Sequence, residues 1–192
     1  MLKMKITTKE LTPELWPVVE ELFGANGACG GCWCMYWRIK EGEDWEKIKG
    51  PRAKTRIKKG VAAGDVKAVL AFRDGNPVGW CTFGPRLDFP RLARSRTLAC
   101  DDAGRIWSIP CFFVKAGHRG QGVAGAMLEH ALRIIKREGA PIAEGYPSRP
   151  GKDGKYIPSF SWTGTKSLFA KLGFKTAGNP GGGKERVRKT FK

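Results

Sequence analysis

Residues 105–139 read RIWSIPCFFVKAGHRGQGVAGAMLEHALRIIKREG, and a change of hydrophobic period inside this stretch decides the fold. Ile106, Trp107, Ile109, Cys111, Phe112, Phe113 and Val114 are apolar on both faces, the pattern of a strand buried within a sheet. From Val123 the apolar positions become Val123, Met127, Leu128, Ala131, Leu132 and Ile135, one side of a 3.6-residue helix, with Glu129, Arg133, Lys136 and Arg137 opposite. Gly139 supplies the stop. Between strand and helix lies Arg119-Gly120-Gln121-Gly122-Val123-Ala124, where two glycines let backbone amides approach a ligand with no Cβ in the way. The first N–H groups of a helix lack internal partners and attract anions, so this turn is a seat for a diphosphate, with Arg119 as an added cation.

The flanking sequence predicts a layered α/β domain. Met4 to Thr8 suits a first strand, and Thr12-Pro13-Glu14 opens a helix that runs to Phe23. Gly24 to Gly31 is a glycine-rich loop, and Asp44 to Ala63 reads as one or two basic helices broken near Gly50-Pro51. Val66 to Arg73 and Pro77 to Pro85 are strands joined by a hairpin turn at Asp74-Gly75-Asn76. Pro85 to Gly104 reads as a long polar loop, and Ile142 to Tyr146 as a short strand. Gly178 to Gly183 reads as a flexible link into a final basic strand or tail ending at Lys192. Strands, a helix and further strands indicate a mixed sheet with helices against it, and Pro110 inside the central strand points to a bulge.

Two known patterns share the glycine turn. Gly120-x-Gly122-x-x-Gly125 with Glu144 downstream spells a dinucleotide fingerprint of the NAD type. That pattern expects the turn to leave the strand directly, whereas Lys115 to Arg119 intervene here, and little chain follows Glu144. The second pattern fits the spacing as well as the letters. Phe112-Phe113-Val114, four residues, then Arg119 to Ala124 resembles the central motif of the GCN5-related N-acetyltransferase (GNAT) superfamily. Ser167-Leu168-Phe169-Ala170-Lys171-Leu172-Gly173-Phe174 resembles that family's last helix and the turn into its final strand. Gly31 to Arg38, GCWCMYWR, resembles a poorly characterised prokaryotic subgroup of these acetyltransferases.

The resemblance implies a fold, a cofactor and a set of roles. The fold is α/β, a mixed and mostly antiparallel central sheet flanked by helices, with a bulged central strand splayed from its neighbour. Residues 1–192 then form one domain, with Gly178 to Lys192 as a possible flexible tail. Acetyl-CoA is the implied acetyl donor. The amides of Gln121, Gly122, Val123 and Ala124, with Arg119 and Gly120, would hold its pyrophosphate, and Phe112, Phe113 and Val114 its pantetheine arm. An N–H near the end of this strand would polarise the acetyl carbonyl.

A primary amine, small-molecule or peptide, would attack directly, and Glu144 is the candidate base that first removes its proton, with a salt-bridged carboxylate as the other reading. Many relatives use a tyrosine of the last helix as the acid, but Phe169 stands there, leaving Tyr146, Tyr156 or water. Ser108 and a Cys111 acyl-enzyme paired with His118 are further options. Trp33, Tyr36, Trp37 and Arg38 would bind the acceptor, joined by Arg86 and Trp162, and aromatic walls with arginine suit a flat or partly anionic acceptor.

Composition bounds the alternatives. Against 18 acidic residues stand 35 Lys and Arg, a net charge of +17, which attracts polyanions. A basic nucleic-acid or acidic-partner module is therefore the other function class, though no nucleic-acid signature accompanies the charge and specific nucleic-acid binding is not expected. Cys29, Cys32 and Cys34 are closely spaced, but a fourth ligand is not evident and no metal is expected. No long apolar run follows Met1 to Lys5, so the expectation is a cytoplasmic monomer or homodimer without a membrane span.

Overall fold

The computed structural model describes residues 5–151, 153–157, 161–178 and 184–192. Strands β1 (Ile6–Glu10), β2 (Lys67–Arg73), β3 (Asn76–Pro85), β4 (Ile106–Val114), β5 (Ile142–Gly145), β6 (Lys175–Thr176) and β7 (Val187–Thr190) form one sheet in the order β1-β2-β3-β4-β5-β7-β6. Every neighbouring pair is antiparallel except β4 with β5. The helices are α1 (Trp16–Phe23), α2 (Trp45–Ile48), α3 (Pro51–Ala62), α4 (Pro90–Arg94), α5 (Val123–Arg137) and α6 (Lys166–Ala170). Among the described residues no helix is long and apolar enough to cross a membrane.

Period-two alternation splits the sheet between two cores. Ala68, Leu70, Phe72 and Trp80 face the layer of α1 and α3, while Val69, Ala71, Cys81 and Phe83 face α5. The β2–β3 turn is tight because Asp74 (φ 50°) and Gly75 (φ 81°) both take left-handed conformations. Helix α5 buries Val123, Met127, Leu128, Ala131, Leu132, Ile134 and Ile135. Each of these side chains larger than alanine contributes about 1.5–3 kcal/mol, so the helix start is held firmly against the sheet. Gly79 on β3 permits this approach: a Cβ there would lie 2.9 Å from Met127 Sδ and from Val123 Cγ1.

One sequence expectation is corrected. Residues 85–104 are not a plain polar loop: they carry a 3-10 turn at Arg86–Asp88, helix α4 and a second 3-10 turn at Ala103–Arg105, with Arg86, Phe89, Leu92 and Leu98 buried. Of the two readings of the basic C-terminal segment, strand or tail, the structure shows a strand: β7 lies inside the sheet between β5 and β6. The guanidinium of Arg188 is ion-paired within the fold. Met4 and most of the glycine link, residues 179–183, lie outside the described residues.

Candidate active site

The site begins at a defect in β4. Thr82 pairs with Cys111 and Gly84 with Ser108, so β4 carries one residue more than β3 over this interval, a bulge at the proline that cannot donate to the ladder. Ile109 and Cys111, two apart, consequently face opposite cores. The Pro110 carbonyl accepts a hydrogen bond from Trp37 Nε1 at 3.1 Å. Beyond Ile109 the strand also loses its parallel neighbour, because β5 pairs only with Ile106 to Ile109. The freed edge opens a cleft of about 600 Å³, into which Phe112, Phe113 and Val114 project.

The glycine turn and the start of α5 close one side of this cleft. Gly122 is the N-cap, at φ 85°, with no side chain capping the helix. The first intrahelical bond of α5 runs from Ala126 N–H to Gly122 O, leaving the amides of Val123, Ala124 and Gly125 as the orphan donors of the first turn. Gly120 (φ 71°) and Gly125 line the cleft, and a Cβ at either would meet no protein atom within 4 Å. Arg119 Nε donates to the Val114 carbonyl at 3.0 Å, which fixes the guanidinium at the cleft mouth. Gln121 alone among the sequence-selected turn residues does not line the cleft: its Oε1 accepts from Arg73 Nη1, and its Nε2 donates to the Gly117 carbonyl at 2.9 Å. It braces the turn from behind.

Glu144 and Tyr146 stand elsewhere than a proton-transfer role requires. The Glu144 carboxylate is fully buried, receives Arg86 Nη1 at 2.5 Å and Arg188 Nε at 2.6 Å, and has Arg186 Nη1 at 3.6 Å. Tyr146 is equally buried: its hydroxyl shares a hydrogen bond of 2.6 Å with Ser108 Oγ and accepts from Arg86 Nη1. Burial first, and the Glu144 charge second, push its pKa well above the usual phenol value. Both are buried, and neither lines this cleft or the cavity walled by Tyr36 and Trp37. The Cys111 thiol is likewise turned away from His118, lying 3.2 Å from Cys34 Sγ in the other core. The Cys34 contact and burial raise its pKa well above the thiol value.

A second cavity, about 710 Å³, has a different set of lining residues. Tyr36 and Trp37 line it, as expected of acceptor residues, but Trp33 and Arg38 do not. Trp33 is packed against Trp16 and Phe23 in the core, and the Arg38 guanidinium lies 4.4 Å over the Phe89 ring. Arg86, too, belongs to the Glu144 network. Trp162 stands at the boundary: it lines the first cleft, its ring lies edge-on to Tyr36 at 5.5 Å and 5.6 Å from Trp37, and its carbonyl accepts the Phe112 N–H at 2.6 Å. Arg91, Trp45 and Lys184, which also line the second cavity, were missed by sequence reasoning because they come from segments read as loop, basic helix and tail. No group of three metal-ligating side chains occurs among the described residues.

A splayed parallel pair, a glycine turn and an uncapped helix form one cleft, and a second cavity is lined by Tyr36 and Trp37, whose rings touch Trp162 of the first. The acetyltransferase (GNAT) family model matches residues 33–144, more than half of the sequence, and the chain belongs to this family of acetyltransferases. No curated protein matches the sequence. Solved structures with the same fold include the PaiA N-acetyltransferase of Thermoplasma acidophilum in complex with coenzyme A (16% identity, 98% of this chain and 100% of that one, TM-score 0.57). YncA of Salmonella typhimurium with acetyl-CoA aligns at 13% identity over 96% and 93% of the chains, TM-score 0.55. A phosphinothricin acetyltransferase of Sinorhizobium meliloti in complex with acetyl-CoA aligns at 16% identity over 97% and 89%, TM-score 0.56.

Proposed function

We propose that the chain moves an acetyl group from acetyl-CoA to a primary amine of a small-molecule or peptide acceptor, by direct attack while both are bound. The observation that carries this reading is continuity: the end of β4, the glycine turn and the orphan amides of α5 line one cleft. Acetyl-CoA supplies the activated thioester; everything else is the work of the chain. The amides of Val123, Ala124 and Gly125 bind the pyrophosphate, and Arg119 adds charge at the mouth. The Phe112 N–H is taken by Trp162, so Val114, whose N–H points to the same open side two residues on, is the strand donor for the pantetheine arm.

An alkylamine, with a pKa of about 10.4, must lose a proton before it attacks. No carboxylate lines the first cleft among the described residues, so the proton passes to water, and positioning carries most of the catalysis. Tyr156, the tyrosine that lines the cleft, is the acid for the departing thiolate. One sheet running from Ile6 to Thr190 supports residues 1–192 as a single domain, and the Gly31–Arg38 segment, a wall of the second cavity, is the mark we assign to a prokaryotic subgroup.

Calorimetric titration with acetyl-CoA and with NADH tests the reading. Acetyl-CoA binds and NADH does not; the reverse preference overturns it. Gly125→Glu, whose Cβ has open space and whose backbone is helical, places a carboxylate at the phosphate seat and abolishes acetyl-CoA binding while the melting temperature holds.

A further inference from the structure

The second cavity holds more unpaired positive charge than its lining first indicates. Its two carboxylates are already engaged: Glu43 receives Arg56 Nη1 at 2.8 Å and the Lys40 N–H at 2.7 Å, while Asp44 caps α2 by accepting the Glu46 N–H at 2.9 Å. Arg94 donates to the carbonyls of Ile39, at 2.8 Å, and Lys40, at 3.1 Å, and so braces the wall. Arg91 and Lys184 have no carboxylate partner among the described residues. The Arg91 guanidinium lies 3.9 Å over the Tyr36 ring, and stacking occupies its face but leaves its in-plane N–H groups free. Lys184 sits 5.6 Å over the Trp162 ring and, among the described residues, donates a hydrogen bond to Thr163 Oγ1 at 3.3 Å. Around these cations stand the rings of Tyr36, Trp37 and Trp45, with Tyr36 edge-on to Trp45 at 5.4 Å.

We propose that this cavity selects an acceptor whose amine is carried on a flat apolar group bearing an anion, carboxylate or phosphate, with Arg91 and Lys184 binding the anion and the three rings binding the apolar body. The proposal rests on the acetyl-transfer reading for its place in a reaction. Its location supports it, because Tyr36 and Trp37 of this cavity are in ring contact with Trp162 of the cofactor cleft. Burial lowers the pKa of Lys184, and a bound anion offsets that cost. A polycationic acceptor finds no free carboxylate here and meets two uncompensated cations.

Unreactive probes test the selectivity apart from turnover. The chain is titrated calorimetrically with 3-phenylpropionate, phenyl phosphate, 3-phenylpropionamide and phenethylamine. At least one of the two anions binds ten or more times more tightly than the amide and the amine. Arg91→Gln and Lys184→Gln each reduce that preference at least tenfold and leave acetyl-CoA affinity and the melting temperature unchanged. If only the carboxylate or only the phosphate shows the preference, that anion is the one recognised. Equal binding of amide or amine, no binding of either anion, or an undiminished preference in both variants overturns the proposal. Acetyl-CoA titration of the unaltered chain is read separately: its failure removes the acetyl-transfer reading, whereas the probe series judges the cavity by itself.

Discussion

At the residue scale, the geometry separates side chains that reach a ligand from side chains that hold the fold. Glu144 faces three guanidiniums inside the sheet, and removing its charge leaves Arg86 and Arg186 without a carboxylate among the described residues, while Arg188 keeps Asp102. Breaking a buried pair costs about 3–5 kcal/mol. With about 2–4 °C per kcal/mol for a chain of this size, Glu144→Gln lowers the melting temperature by roughly 10 °C, while the pH profile of kcat/KM in the folded protein keeps its shape. An altered profile with unchanged melting would restore a base role. Tyr156→Phe gives the opposite signature: kcat falls about tenfold or more, acetyl-CoA affinity stays, and melting is unaffected, since the hydroxyl lies at the cleft rather than in the core. Sequence reasoning chose Glu144 for its place on the strand beside the cleft. It could not tell a carboxylate facing solvent from one facing arginine, because Arg86 and Arg188 arrive from 58 and 44 residues away.

At the scale of elements, strand β4 and helix α5 were legible because their patterns are local: a two-sided apolar run, a glycine turn and a 3.6-residue stripe. Pro110 announced the bulge, although its effect, sending Ile109 and Cys111 to opposite cores, needed the pairing with β3. Docking of α5 depends on Gly79, a residue with no visible signal in a strand otherwise apolar. Gly79→Ala forces its Cβ to 2.9 Å from Met127 and Val123. Such overpacking costs about 1–3 kcal/mol, read as a lower urea midpoint. Because Val123 is the first residue of α5, the variant also weakens acetyl-CoA binding several-fold; full affinity at reduced stability would show that the helix start is fixed by the turn alone. Helix α4 was hidden by its short length and basic composition, since Pro90–Arg94 offers one buried apolar residue, Leu92, and no period to detect.

At the scale of the whole molecule, a net charge of +17 acts as a field more than as a binding code. Some of the 35 basic side chains are already engaged and are not free phosphate contacts: Arg86, Arg186 and Arg188 surround Glu144, and others are paired on the surface, as in Lys54 with Glu20 and Arg137 with Glu10. Binding to unrelated DNA duplexes is therefore weak and falls steeply with added salt, because it rests on counterion release; a sequence-selective complex that survives physiological salt in a mobility-shift titration would contradict this. By itself the sequence determined the α/β class, the central strand and helix, and the glycine turn between them, since each is written in neighbouring residues whose period and turn chemistry are local. Only the tertiary structure decided that β7 enters the sheet, that Glu144 is a counter-ion, and that Arg91 and Lys184 share a chamber with Tyr36 and Trp45. Those facts depend on which distant segments meet, and residues far apart in the chain carry no local pattern that records their meeting.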